Sequence, residues 1–318
     1  MIYKICILSA GYKSVQKAVL GCCRPPVVDR LAGPSIPAQG FVNLMRVQRL
    51  LDALRDERSA EPLDVAALEM ASIEFPGLDV ESSLARLDGY AEQIGAQLAG
   101  KVSGLEYIRA ANDFLFDVLQ FRGNENEYYD PRNSCLNSVL MRRLGIPITL
   151  SVIYIEVARR LNRTVYGVGL PGHFIVAYED ADARYWVDPF HSGRILSFDD
   201  CNALAQQTAG VNLRANPAVL APVHTRQILV RMLSNLKAIY LRGEAFEKAR
   251  QVLDLLIHAM PDYPEEYRHR GIVHMKQQNH RAARQDFETY LRLEPNAPER
   301  EQVEKQLMLI QRWSAGLN

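Results

Sequence analysis

The chain has 318 residues, 48% of them hydrophobic and 23% charged, with a formal net charge of zero. That length supports one large or two ordinary domains with real cores, and a balanced charge gives no field to draw in nucleic acid or an anionic membrane. Its five cysteines (Cys6, Cys22, Cys23, Cys135 and Cys201) form no CxxC pair. That usage suits a reducing compartment, so a cytoplasmic protein with no disulfide framework is expected.

Residues 1–43 hold Cys22-Cys23, Pro25-Pro26 and Gly33-Pro34 without a sustained period, and read as a poorly ordered extension. Met45 is a second candidate start. From Leu44 to about Leu119 apolar residues recur at three-and-four spacing, as in Leu84, Leu87, Tyr90, Ile94 and Leu98, and predict a helical layer. After the polar loop NENEYYDPRNS, Asn133 or Ser134 is placed to cap a short helix with Leu136, Val139 and Leu140 inward, and Gly145 to end it as a left-handed cap. Cys135 would sit in the first turn of that helix, where the dipole favours a thiolate. Pro147 breaks the chain before a second helix, Leu150 to Leu161, apolar nearly all round at its start and so central to the fold. Thr149 and Ser151 open it.

Strands are predicted at Val165 to Val168, His173 to Tyr178 and Tyr185 to Val187, the last two joined as an antiparallel hairpin through Glu179-Asp180-Ala181-Asp182. Gly193 to Leu196 returns as a short strand, and Phe198-Asp199-Asp200 caps a further helix through Leu204. Gly172 beside His173 suggests a close backbone approach. From about Arg226 the chain repeats itself at a spacing of 34: Pro261 and Pro295, Ala249 and Ala283, Arg250 and Arg284, Leu253 and Phe287. With Tyr240 and Gly271, that period marks tetratricopeptide-like helix-turn-helix units over residues 226–318. Two such units do not bury a continuous core alone, so this tail is expected to lean on what precedes it.

The pieces DPRNSCLN, RRLGIPITLSVIYIEVARRL, GLPGHF and VDPF resemble the transglutaminase-like superfamily, in particular a bacterial branch with a tetratricopeptide-like tail. The resemblance implies an α+β, papain-like core over residues 44–225: helices packed on a small antiparallel sheet, followed by the all-α tail. It also implies a nucleophilic cysteine at the start of the central helix, with His173 as base and Asp188 orienting it. The cysteine position falls near Pro147 or Ile148, so the sequence departs from the pattern at its nucleophile.

Two functional readings follow. In one, a catalytically degenerate domain binds protein: residues 226–318 grip a peptide segment, and a cleft with Asn133, Asn137, Thr149 and Gly172 holds a ligand. In the other, a hydrolase or acyltransferase uses His173 and Asp188 with a displaced nucleophile, Cys135 or Ser151. No HExxH, paired Cys/His spacing, GxGxxG or GxxxxGK[ST] is present, so no metal, cofactor or nucleotide is assigned. No apolar run has the length of a membrane span.

Overall fold

The computed structural model describes residues 48–56, 61–98, 100, 102–181 and 183–316. The extension expected over residues 1–43, and Met45, lie outside the described residues. The chain forms two compact units, and they interleave along the sequence. Of the described residues, the first takes 48 and those within 84–124 and 142–223, and the second those within 49–83, 125–141 and 224–316. The boundary at Val223 and His224 lies beside the division expected at 225 and 226, and the second unit also draws on two earlier segments.

In the first unit, helix α1 (Gly104–Asn112) starts from a reciprocal cap, with Ser103 Oγ accepting from the Glu106 N–H and the Glu106 carboxylate accepting from the Ser103 N–H. It continues into a π-helical stretch, Asp113–Val118. The central helix α2 spans Pro147–Arg160. It begins earlier than the expected Leu150, because proline at the first helical position carries a fixed φ and lacks only an N–H that would have no helical partner. Glu156, buried on this helix, is neutralised by Arg159 (2.7 Å) and Arg160 (3.1 Å) one turn on.

Helix α2 packs on a five-stranded antiparallel sheet. Its strands are β1 (Val165–Val168), β2 (Ile175–Glu179), β3 (Arg184–Asp188), β4 (Arg194–Leu196) and β5 (Pro222–Val223). In space they run β4-β3-β2-β1-β5, and the predicted hairpin pairs Val176 with Val187 and Ala177 with Trp186. Strand β2 is buried at four successive positions, as befits a middle strand covered on both faces. One face carries Val168, Ile175, Ala177 and Leu196, which pack with Cys201 and Ala205 of helix α3 (Phe198–Ala209). Ser197 caps α3, and Asp200 reaches back to the Ser197 N–H at 3.0 Å. Strand β5 has no counterpart in the sequence reading: two residues, one a proline, carry no readable alternation.

Gly145 does not have the expected left-handed cap conformation. Arg143 takes the positive φ (60°) instead, and Leu144–Gly145 pairs in parallel with Arg122–Gly123. The chain thereby turns one residue pair earlier and delivers Pro147 to the start of α2.

The second unit is all helical among its described residues. Helices α4 (Thr225–Arg242), α5 (Phe246–Ala259), α6 (Pro264–Lys276), α7 (His280–Leu293) and α8 (Arg300–Gly316) form the repeat region. Ala249 and Ala283 are both fully buried, as are Leu253 and Phe287 to within 1%, so the 34-residue period lands on equivalent core positions. Gly271 is required: a Cβ there would lie 2.6 Å from the Phe287 ring. The tail leans on earlier segments of the same unit. Arg226 donates to the Leu54 carbonyl at 2.9 Å, and Tyr240 Oη and Lys248 Nζ both reach the Glu74 carboxylate, at 2.8 and 3.0 Å. Among the described residues, no helix is long and apolar enough to cross a membrane.

Candidate functional site

The site in the first unit is assembled from the two ends of the β2–β3 hairpin. On the approach to β2, Pro171-Gly172 makes a tight turn with Gly172 at φ +73°, and the His173 N–H donates to the Leu170 carbonyl at 3.1 Å. The close approach expected at Gly172 is to Thr208 of α3. A Cβ on Gly172 would lie 2.8 Å from the Thr208 Cβ, and Thr208 Oγ1 donates to the Pro171 carbonyl at 2.7 Å. Gly172 thus has a packing and turn role that places His173.

At the far end of β3, Asp188 starts a 3-10 turn, Pro189–His191. Its Oδ1 accepts from the backbone N–H groups of Phe190 (3.0 Å) and His191 (3.4 Å). Its Oδ2 accepts from His173 Nε2 at 2.8 Å and from His191 Nδ1 at 2.7 Å. The turn closes with the Gly193 N–H on the Asp188 carbonyl at 2.9 Å. Gly193 is fixed by crowding as well as by φ (+73°): a Cβ would run into Asn112 Oδ1, and Asn112 Nδ2 donates to the Gly193 carbonyl at 2.7 Å. Phe190 lies over Gly123, where a Cβ would be 2.5 Å from the ring, and stands edge-on to His173 with ring centroids 6.0 Å apart.

Asp188 is 1% exposed and His173 6%, while the His191 side chain is 46% exposed and opens the cluster to solvent. Burial acts to raise the Asp188 pKa, but the hydrogen bonds from His173 and His191 outweigh it and hold the carboxyl well below the usual range. The ionised carboxylate only accepts, so each imidazole presents an N–H to Oδ2.

The expected pair of His173 and Asp188 is thus in contact, and a third member, His191, was missed by the sequence reading. A signal for it existed. Asp188 and His191 are three apart, the spacing of one 3-10 turn, and side chains at that spacing eclipse.

The remaining expected site residues are placed differently. Cys135 follows the 3-10 turn Pro131–Ser134 and precedes the helix Leu136–Arg142, in the second unit, fully buried. Burial, with the Glu74 and Asp130 carboxylates adding to it, pushes its thiol up to about 12, the reverse of the dipole-lowered value expected. Cys201 is likewise pushed up to about 12, chiefly by burial. Asn133 and Asn137 also belong to the second unit; Asn133 Nδ2 donates to the Glu127 carbonyl at 2.7 Å. Thr149 Oγ1 accepts from the Ile146 N–H at 3.1 Å and so serves the start of α2. Ser151 is buried on α2, and its Oγ has no hydrogen-bond partner, so it is not joined to His173. Chemically, the cluster offers two imidazoles and a carboxylate around one oxygen, with no activated nucleophile among them.

This helix-on-sheet core with a His–Asp pair at the hairpin ends, joined to helical repeats, is a transglutaminase-like domain with a tetratricopeptide-like tail. Residues 81–234 match the transglutaminase-like superfamily, and residues 236–308 match the tetratricopeptide repeat. A UPF0162 protein of Xylella fastidiosa (strain 9a5c) is 37% identical over 238 residues, covering 74% of this chain and 85% of that protein. The chain belongs to the UPF0162 family. The F-box only protein 21 of Homo sapiens is 30% identical over 168 residues, 49% of this chain but 26% of that much longer protein. Among solved structures, menin is similar at a TM-score of 0.39 and 12% identity, over 83% of this chain and 73% of menin, too slight a likeness to bear an argument.

Proposed function

We propose that the chain is a catalytically retired transglutaminase-like protein that acts by holding a segment of a partner protein through its repeat unit. The observation that carries the first half is the state of the thiols. The two described cysteines, Cys135 and Cys201, are buried with pKa values pushed up to about 12, so neither supplies a thiolate to His173. The second half rests on the repeat type, which generally presents an extended concave surface to peptides. Large apolar side chains stand exposed on its helices: Ile272 on α6, and Met308, Leu309 and Trp313 on α8.

Deleting residues 226–318 is a poor test, since it strips the second unit of most of its helices and of the partners of Leu54 and Glu74. The better experiment compares the full chain with Ile272→Asp and with the double variant Met308→Asp, Leu309→Asp, using cross-linking and mass spectrometry in cells of the source organism. A partner cross-linked to repeat residues in the wild type, lost in either variant and retained in His173→Gln, is expected. Identical cross-links in all four proteins would overturn the reading.

The hydrolase reading has one supporting observation, the buried Ser151 hydroxyl on α2 without a hydrogen-bond partner. A fluorophosphonate adduct on Ser151, abolished by His173→Gln, would establish it in place of the binding reading.

A further inference from the structure

We propose that His173, Asp188 and His191 bind one divalent transition-metal ion of the zinc type. Each offers one donor atom, and the three donors lie within 4.8 Å of one another. Two imidazoles and one carboxylate form a common donor set for zinc sites that keep an open position. The set suits calcium and magnesium poorly, since those ions call for mostly oxygen ligands and two of the three donors are imidazole nitrogens.

Features of the fold prepare this set. Asp188 Oδ1 is held by two backbone N–H groups, which fixes the carboxylate plane and leaves Oδ2 as the donor. Such outer bonds orient metal ligands and tune them. Phe190 supplies an apolar wall beside His173. Entry is through His191, whose side chain is nearly half exposed.

The present spacings of 2.7 and 2.8 Å are hydrogen-bond distances. Ligands around zinc, each about 2.0–2.1 Å from the ion, stand roughly 3.3 Å apart in a tetrahedron. Along these two edges a spread of about half an ångström admits the ion, and the His191 side chain, 46% exposed, is placed to give way from its bond to Asp188. The protons balance. His173 Nε2 and His191 Nδ1 now carry the hydrogens they donate to Asp188. On binding, each hydrogen shifts to the other ring nitrogen through solvent exchange, or leaves to solvent if that nitrogen already holds one. Asp188 exchanges two N–H donors for the cation and stays ionised. The fourth position is left for water.

This inference does not depend on the partner-binding proposal. It is tested on the full-length protein, stripped with a chelator and dialysed, by calorimetric titration with Zn²⁺ and by visible absorption on adding Co²⁺. One equivalent should bind, and Co²⁺ should give the intense bands of a tetrahedral site. His191→Ala, at an exposed position, should fold normally by circular dichroism and weaken binding by at least about tenfold, a loss that even outer-sphere changes can bring. His173→Gln, with the same folding control, should lose the Co²⁺ bands. Absence of saturable binding would overturn the proposal. So would binding that His191→Ala leaves unchanged, since the ion would then sit on other groups of the chain.

Discussion

In the transglutaminase-like unit, two imidazoles converge on one buried oxygen of Asp188; in the repeat unit, ion pairs of Arg270 and Lys237 run from helix to helix. Arg270 of α6 reaches Asp286 of α7 with two bonds (2.7 and 2.9 Å) and Asp254 of α5 with a third (2.7 Å). Lys237 of α4 is bidentate on Glu266 of α6 at 2.7 and 2.8 Å. Pairing of this kind directs charge from one helix to its neighbour, so it sets the stacking of the repeat. Convergence does the opposite: it gathers several donors at one point, near solvent, and gives a site. The two arrangements therefore serve different ends.

The largest effect should come from breaking a helix-to-helix pair. Arg270→Met removes the partner of Asp286, which is 4% exposed, and losing one half of a buried pair costs roughly 3 kcal/mol or more. Urea unfolding followed by hydrogen exchange should show the loss in peptides of α5, α6 and α7. An unchanged midpoint would mean that the pairs do not organise the stack. Next comes Gly271→Ala. The added Cβ would press on the fully buried Phe287 ring, and overpacking of this kind costs about 1–3 kcal/mol. Faster exchange in α6 and α7 is the expected readout.

Asp188→Asn probes the convergent cluster, with an expected cost of about 2 kcal/mol. The amide oxygen can still receive the Phe190 and His191 N–H groups, but the NH₂ replaces an acceptor that now serves two imidazole donors. The loss should appear in peptides spanning β2, β3 and the Pro189–His191 turn. If it appears in the repeat helices as well, the contrast between the two units fails.

How much of this was legible beforehand differs by the kind of signal. The 34-residue period pointed to Ala249, Ala283, Leu253 and Phe287, because a repeat forces equivalent residues into equivalent core positions. The polar turn Glu179-Asp180-Ala181-Asp182 between two short apolar runs marked the β2–β3 hairpin, and the family resemblance brought His173 and Asp188 together. What stayed hidden was non-local. Nothing in residues 49–83 or 125–141 announces that they complete the repeat unit, since an amphipathic helix does not encode its partner. The burial that inverts the expected Cys135 chemistry is of the same kind, a consequence of neighbours such as Glu74 far away in sequence. The left-handed turn fell at Arg143 rather than Gly145 because the Arg122–Gly123 ladder claims Leu144–Gly145.

The smallest effect at neutral pH, and the one that grows in acid, belongs to His269 on α6. Burial, with Lys237 and Arg268 as positive neighbours, pushes its pKa down to about 3, and Nδ1 makes no hydrogen bond. The folded state therefore holds the ring neutral, while the unfolded chain protonates it near the ordinary value of about 6.5. Below that value the unfolded state binds more protons, so stability falls as the pH drops from about 6.5 toward 3 and is fully present above 6.5. His269→Gln removes this proton uptake. At pH 7.5 the variant should melt within a degree or two of the wild type, and at pH 4.5 it should lose less of its neutral-pH stability. Equal acid sensitivity in wild type and His269→Gln would show that the repeat unit does not hold this histidine neutral.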